Sequence, residues 1–335
     1  MRRMREVAFA IVLAVLAASP GAGAAEGGPS AGASLVLLGT AGGPVLRATR
    51  SQPASLLVVG DAAYLIDAGD GAAAQIIRSG HLLQQVRAVF LTHQHQDHTA
   101  GLGALIAANW SVVRQTPLSI FGPPGTETLV ESALAYFSVS ERTFGRESAA
   151  AATMANIPKP KEIRGPGPVY EDDRIRVVAA ENSHYATVCR TSTDCPDLKS
   201  FAYRIEIKRA GRPFAVVFTG DTGPSESVAK LAAEADILVS EVIDLPSTIT
   251  FLRDYVRLPE PSLKPMVAHM EQEHLTPEQV AMLANAAHAK KIVLTHIVWG
   301  NQEKAPNIAK LVAGVAGLYR GPVVAGEDLQ VIPLE

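Results

Sequence analysis

Four side chains of types that bind divalent metal ions lie within six consecutive positions of the chain. Residues 92–98 read Thr-His-Gln-His-Gln-Asp-His, so three imidazoles and one carboxylate follow one another closely. Single histidines are common in any sequence, but this density is typical of a metal site. We therefore predict that His93, His95, Asp97 and His98 bind metal. Imidazoles and carboxylates without thiolates suit zinc, manganese or iron.

The pattern on either side of this stretch places it between a strand and a helix. Residues 86–91 form an apolar run that predicts a buried strand, and residues 99–106 predict the start of a helix. Three further candidate ligands have similar surroundings: His184 follows a predicted strand, Asp221 lies at a strand-to-helix turn, and His296 ends a strand. Because strand ends can meet at one edge of a sheet, we expect all seven residues to form one site.

The order of the predicted elements indicates an α/β fold. Short apolar strands alternate with helices after an antiparallel opening, which predicts four layers, with helices outside two mixed sheets, over residues 34–335. Residues 146–169 are rich in alanine, proline and glycine and are predicted to form a surface insertion, and residues 245–270 a second insertion. Residues 323–324 and 329–332 are predicted to form a terminal pair of strands.

The first 24 residues have the composition of a secretory signal peptide. A basic start at residues 1–5 precedes an apolar run at residues 7–18, and a small-x-small cleavage motif ends at Ala24. The run is shorter than the ~20 residues that a membrane span needs, so we expect cleavage rather than membrane anchoring. Residues 25–33 are rich in glycine, alanine and serine and are predicted to form a flexible linker. The mature protein is expected to be periplasmic or secreted, without membrane attachment.

The charge of the chain bears on its partners. The chain has 335 residues, of which 47% are hydrophobic and 19% charged, and its formal net charge is −3. Loss of the first 24 residues would remove three arginines and one glutamate, which brings the charge to −5. An acidic protein has no general attraction for polyanions. The charge therefore argues against a nucleic-acid partner and favours a small-molecule ester substrate, while a homodimer stays open.

The chain has two cysteines, Cys189 and Cys195. In an oxidising compartment we expect them to form a disulfide across five residues, which would restrain the loop after His184. Two free thiols are the alternative. A zinc site at these cysteines is disfavoured, because no further thiolates or nearby histidine pair accompany them.

The order of the candidate ligands carries a resemblance to a known family. The motif His93-x-His95-x-Asp97-His98, followed by His184, Asp221 and His296, resembles the ligand set of the metallo-β-lactamase superfamily. The resemblance implies an αββα sandwich with two divalent metal ions, zinc by default, and a hydroxide between them. One ion would be held by His93, His95 and His184. The other would be held by Asp97, His98 and His296, with Asp221 as the bridge, and Asp97 would also help to orient the nucleophile.

A second motif indicates the branch of this superfamily. The segment Glu273-His274-Leu275-Thr276 resembles the His-x-Thr segment of the branch that contains ribonuclease Z, arylsulfatase and cyclic-nucleotide phosphodiesterase. The resemblance implies that His274 assists the leaving oxygen, with Glu273 or Glu271 as a possible partner. A surface histidine before a helix-capping threonine is the plainer interpretation.

The leader and the acidic charge favour an arylsulfatase-like or phosphodiesterase-like hydrolase, in which the hydroxide attacks a sulfate or phosphate ester. Residues 146–169 lie where a ribonuclease Z would carry its tRNA-gripping arm, but they contain few basic residues. The alternatives are hydrolysis of a lactone, thioester or β-lactam on the same centre, a tRNA 3′-end endonuclease, and a metal-binding protein without catalysis.

Two other residues lie near the predicted site. Asp67 follows a predicted strand and is expected to support a ligand or a turn rather than to bind metal itself. His269 lies in the second insertion, where it could line the pocket, although a structural role is expected to be commoner for such a residue.

Overall fold

Two seven-stranded sheets form the centre of the fold in the computed structural model, which describes residues 32–147, 153–190, 195, 197–301 and 304–335. In the first sheet the strands lie in the order β14-β1-β2-β3-β4-β5-β6 and in the second in the order β13-β12-β11-β10-β9-β8-β7. The strands are β1 (Ala33–Gly39), β2 (Ala54–Val59), β3 (Ala62–Ile66), β4 (Val86–Phe90), β5 (Leu118–Gly122), β6 (Pro158–Glu162), β7 (Gly167–Glu171), β8 (Ile175–Glu181), β9 (Phe201–Ile207), β10 (Phe214–Phe218), β11 (Ile237–Ile243), β12 (Ile292–Val298), β13 (Val323–Ala325) and β14 (Gln330–Leu334).

Helices cover the outer face of each sheet, while the inner faces pack against each other. Successive side chains of a strand point to opposite faces, and β1 shows this clearly: Leu37 packs between the sheets, whereas Val36 packs beneath helices. The α-helices are α1 (Ala72–Arg78), α2 (Gln96–Thr99), α3 (Leu102–Ser111), α4 (Thr126–Glu147), α5 (Glu226–Leu231), α6 (Leu245–Thr250), α7 (Glu260–Gln272), α8 (Pro277–Ala286) and α9 (Ile308–Ala316). The predicted four-layer α/β arrangement is confirmed.

The second predicted insertion is helical and leads towards the site. Helix α6 continues into a π-helix at Phe251–Tyr255, and α7 follows. Immediately after α7, Thr276 begins α8 with a capping box: its side chain accepts a hydrogen bond from the backbone N–H of Gln279, whose side chain bonds back to the N–H of Thr276. This cap closes a free helix end and fixes the short segment that holds His274.

The first predicted insertion is only partly an excursion, because residues 158–162 and 167–171 form the edge strands β6 and β7 of the two sheets. Their prolines are compatible with edge positions, where one side of the backbone needs no partner. Both predicted terminal strands are present, but they do not pair with each other: β13 pairs with β12 and β14 with β1, so the chain crosses from one sheet to the other. Each of these two strands forms an edge of its sheet, and β14 pairs with a strand that is distant from it in sequence.

The predicted signal peptide at residues 1–24 and most of the predicted linker lie outside the described residues, and Ala33 already belongs to β1. Within the described part of the chain, no helix has the length and apolar character needed to cross a bilayer. The sulfurs of Cys189 and Cys195 form a disulfide, with the two Cα atoms 5.2 Å apart. The residues that lie between the two cysteines in sequence are outside the described part, apart from Arg190.

Candidate metal centre

The predicted ligands meet where the carboxyl ends of several strands adjoin. His93 and His95 lie on the loop after β4, and Asp97 and His98 belong to the one-turn helix α2. His184 follows β8 and Asp221 follows β10, so that both sheets contribute.

His296 lies inside β12 rather than at its end. The pairing of β11 with β12 shifts at this point, so that Thr295 and His296 oppose the single residue Glu241. Such a bulge redirects side chains, and His296 has a backbone φ of 40°, which is rare for a residue other than glycine. The strained bulge turns His296 and Glu241 towards the site, with Nδ1 of His296 3.9 Å from Oε2 of Glu241.

Five groups of three side chains among the described residues offer ligand atoms within 4.8 Å of one another. Two of them are His93 with His95 and His184, and Asp97 with His98 and His296. In the first group, Nε2 of His184 lies 3.2 Å from Nδ1 of His95. In the second, Oδ2 of Asp97 lies 3.5 Å from Nε2 of His98 and 3.3 Å from Nε2 of His296. These are the two groupings that the sequence resemblance predicts.

Asp221 lies between the two groups. Its Oδ2 atom is 3.9 Å from Nε2 of His93 and 3.1 Å from Nε2 of His296, and its Oδ1 atom is 3.4 Å from Nε2 of His98. The carboxylate therefore reaches ligands of both groups. This is the position that a carboxylate shared between two cations requires, because it offsets their mutual repulsion.

The residues fit two divalent ions. Among the described residues, Nε2 of His93, Nε2 of His98 and Oδ1 of Asp221 are buried and have no hydrogen-bond partner. Buried polar atoms are rarely left without a hydrogen-bond partner. Here two imidazole nitrogens and one carboxylate oxygen without partners lie close together. Metal ions satisfy such atoms, and the donor set suits zinc and related divalent cations.

The charges of the site favour cation binding. Burial lowers the pKa of His93 and of His184 well below the usual range, which keeps both rings neutral. Burial opposes the charge of Asp97 and Asp221, but the neighbouring histidines outweigh it: the pKa of Asp97 falls to about 2, and that of Asp221 lies well below its usual range. The carboxylates are therefore ionised, and His93 and His184 are available as ligands at neutral pH. Burial opposes the charge of His98, but Asp221, Asp97 and Asp67 outweigh it and raise the pKa of His98 well above its usual range.

Neighbouring groups fix the orientation of the imidazoles. Asp67 accepts hydrogen bonds from the backbone N–H of Thr92 at 2.8 Å and from Nδ1 of His98 at 2.8 Å, which is the supporting position expected of it. The backbone carbonyl of Glu273 lies 3.1 Å from Nδ1 of His184. When one ring nitrogen is engaged in this way, the other is directed to the metal.

His274 is buried beside the ligands, with its ring centre 5.2 Å from that of His184. Its Nδ1 atom lies 2.6 Å from Oε2 of Glu241, so the expected partner, Glu273 or Glu271, is wrong. The carboxylate of Glu273 instead bonds Thr187 and His269. Glu241 was missed in the sequence, although a single carboxylate inside the otherwise uncharged segment 237–243 is a detectable signal. Burial lowers the pKa of His274.

Comparison with known proteins agrees with this geometry. A family model described as "Beta-lactamase superfamily domain" matches residues 63–297. Ribonuclease Z of Mycobacterium bovis (strain BCG / Pasteur 1173P2) is 32% identical over 305 residues, which cover 88% of this chain and 96% of that protein. The chain belongs to the metallo-β-lactamase superfamily. Within that superfamily it belongs to the ribonuclease Z branch, and it is a metal-dependent hydrolase.

Solved structures of this superfamily share the fold. The short form of human tRNase Z has a TM-score of 0.61 at 21% identity, with 90% of this chain and 99% of that chain covered. The metallo-β-lactamase fold protein YhfI from Bacillus subtilis has a TM-score of 0.60 at 19% identity, with coverage of 90% and 98%. At these identities the similarity supports the αββα architecture.

The expectation of a small-molecule ester substrate without a nucleic-acid partner is wrong. A ribonuclease Z matches this chain over nearly the whole of both proteins, and it favours the tRNA 3′-end endonuclease alternative over the arylsulfatase-like interpretation. The net charge of −3 led to the wrong expectation because it is a sum over the whole chain. Net charge does not describe the local field of a site, and a site that held two divalent cations would present positive charge to a polyanion.

Proposed function

We propose that this metallo-β-lactamase superfamily hydrolase cleaves phosphodiester bonds of RNA, as an endonuclease that acts near the 3′ end of tRNA or of a similar structured RNA. The observation that carries this proposal is the buried pair of His274 and Glu241 next to the metal ligands. An alkoxide leaving group needs a proton donor, and an imidazole held by a carboxylate can supply one. The ribonuclease Z relative supports the same chemistry.

We propose zinc as the metal in both positions. Two such ions would activate a water molecule for attack on phosphorus and would neutralise charge on the phosphoryl oxygens. The ligands His93, His95 and His184 would hold one ion, and Asp97, His98 and His296 the other, with Asp221 shared. The observed contacts of Asp67 and of the Glu273 carbonyl keep these rings in place.

His274 carries the proton of the reaction. Its Nδ1 atom contacts Glu241, and after the ring has taken up a proton it offers that proton from Nε2 to the departing oxygen. The lowered pKa of His274 makes the protonated ring a stronger acid. As water adds to phosphorus, the bond from phosphorus to the 3′ oxygen breaks, and that oxygen takes the proton from Nε2. The products are a 3′-hydroxyl and a 5′-phosphate. The proton lost by the attacking water passes to solvent, and His274 takes up a proton from solvent before the next turnover.

We also propose that the protein works outside the cytoplasm. The composition of residues 1–24 and the Cys189–Cys195 disulfide support this location, since disulfides persist in oxidising compartments. Fractionation of cells that express the full chain tests it: the mature protein should be found outside the cytoplasm and begin at residue 25. A full-length protein in the cytoplasmic fraction contradicts the location.

The activity is tested with the zinc-loaded protein and an RNA hairpin that carries a 3′ extension, beside an aryl sulfate, a lactone and a cephalosporin. We expect cleavage of the RNA with a 5′-phosphate on the released fragment. His274→Ala should lower kcat by roughly 10²–10⁴-fold, the usual contribution of a positioned acid. His288→Ala removes an exposed histidine elsewhere and serves as the control. Hydrolysis of only the lactone and the cephalosporin contradicts the proposal.

A further inference from the structure

A second histidine–glutamate pair lies beside the first. Near the end of α7, Nδ1 of His269 makes a hydrogen bond with Oε2 of Glu273, which is fully buried. The other oxygen of Glu273 accepts a hydrogen bond from the backbone N–H of Thr187 at 2.6 Å and another from its hydroxyl. The carboxylate is thus held from both sides, and it fixes the ring of His269 as Glu241 fixes that of His274.

His269 lies at the mouth of the metal centre. Its ring centre is 5.3 Å from that of His184, 5.3 Å from that of His274 and 6.3 Å from that of His95. One of its ring nitrogens lies within 4.8 Å of a ring nitrogen of His184 and of one of His274. The side chain of His269 is 24% exposed, whereas that of His274 is 5% exposed. His269 is therefore the more accessible of the two histidines.

The Nε2 atom of His269 has no role in the scheme described so far. Because Nδ1 bonds Glu273, Nε2 is the nitrogen left for a ligand, and it has no hydrogen-bond partner within the described part of the chain. When Nδ1–H donates to the carboxylate, Nε2 of the neutral ring is an acceptor. It then requires a donor on the substrate. Phosphate oxygens of a diester are acceptors only, so a hydroxyl is the group that matches.

The position of that hydroxyl follows from the role of His274, and this step rests on the proposed function. If His274 protonates the departing 3′ oxygen, the nearest hydroxyl of RNA is the 2′-hydroxyl, on the adjacent carbon of the same ribose. A hydrogen bond spans about 2.9 Å between heavy atoms, so ring nitrogens within 4.8 Å of each other can contact two neighbouring oxygens of one sugar.

We propose that Nε2 of His269 accepts a hydrogen bond from the 2′-hydroxyl of the nucleotide whose 3′ oxygen departs, and that His269 thereby selects RNA over DNA at the cleavage position. The 2′-hydroxyl is the group by which a protein distinguishes the two nucleic acids. His269 is a specificity-determining residue in this scheme, and it takes no part in transferring the proton.

The test changes one group on the ligand and one residue of the protein, separately and together. The ligand is an RNA hairpin with a 3′ extension and a hydrolysis-resistant phosphorothioate at the junction, carrying either a 2′-hydroxyl or a 2′-fluoro group on the preceding ribose. Fluorine fills the position but cannot donate a hydrogen bond. The dissociation constants of the zinc-loaded full chain and of His269→Phe are measured for both ligands by fluorescence anisotropy, together with metal content and Tm.

We expect the fluoro substitution to weaken binding to the unaltered protein by about three- to tenfold, the usual effect of one hydrogen bond. It should have no effect on binding to His269→Phe, and His269→Gln, whose amide oxygen can accept, should recover part of the difference. His288→Gln is the matched control at an exposed position. The same ratio between the two ligands should appear in kcat/KM with cleavable RNA.

Two results overturn the inference. If His269→Phe and the unaltered protein discriminate between the ligands equally, another group reads the 2′-hydroxyl. If the discrimination persists and His269→Phe also weakens both ligands by the same factor, His269 contacts a group that the two ligands share, such as a phosphate. RNA that is bound and cleaved with either result leaves the proposed function intact, whereas a protein that neither binds nor cleaves RNA refutes both proposals. His269→Gln keeps the test valid if the phenylalanine variant does not fold.

Discussion

The pair of Glu241 and His274 allows a sharp test of how the leaving group departs. Glu241→Gln keeps the size of the side chain and replaces the carboxyl group by an amide that cannot ionise. The 2.6 Å contact joins two buried side chains, and a hydrogen bond to a charged group contributes about 1.5–3 kcal/mol. Loss of that amount for protonated His274 in the transition state corresponds to a fall in kcat of roughly 10–150-fold. KM should change little, because Glu241 lies behind His274.

The assay compares two diesters that differ only in the departing group: an RNA diester, whose alkoxide needs a proton, and an aryl diester that releases 4-nitrophenolate, which does not. Glu241→Gln should slow the first and leave the second nearly unchanged. Glu206→Gln, on β9 at the far end from the metal centre, serves as the matched control. Metal content is measured in each variant, since Glu241 also lies 3.9 Å from His296. An equal decrease for both substrates at full metal occupancy would refute the assignment of His274 as the proton donor.

Three further predictions concern metal, disulfide and pH. Asp221→Ala should lose at least one metal ion by elemental analysis, and a chelator should lower the Tm of the unaltered protein more than that of the variant; an active Asp221→Ala enzyme with two ions contradicts the shared-ligand scheme. Replacing both Cys189 and Cys195 by serine should lower the free energy of unfolding by about 2 kcal/mol, from the loop-closure entropy of so short a loop, and a reductant should have no effect on the double variant. Partial burial of Asp236 is outweighed by Arg212, the Ala215 N–H and Lys290, which lower its pKa to about 2. Because this pKa is lower in the folded than in the unfolded protein, the ionised carboxylate stabilises the fold above the unfolded-state pKa, and this stabilisation is lost as the pH falls towards 2. In acid titrations, Asp236→Asn should therefore lose less stability than the unaltered protein between about pH 4 and 2.

Much of the metal centre could be predicted because its signals are local. The cluster from His93 to His98 occupies one loop and the one-turn helix α2. His184 and Asp221 follow apolar strands, and His296 lies within one, where periodicity is informative. The supporting position of Asp67 was foreseeable for the same reason. The chemistry of the residue types then limited the ligand to divalent cations.

The sequence alone indicated the fold class and the set of candidate metal ligands, because alternation of strands and helices and the types of the ligand residues are local properties. The grouping of the ligands and the class of reaction came from the resemblance to the metallo-β-lactamase superfamily. Only the tertiary structure decided which carboxylate holds His274, where β6, β7 and β14 pair, and that His269 reaches the metal centre. Glu241 and His274 are 33 residues apart, and Asp97 and His296 are 199 apart. Such contacts depend on strand register and on the bulge at His296, which no local pattern encodes. Substrate preference depends on the same long-range placement, because a net charge of −3 describes the whole chain and not the few ångströms around the metal centre.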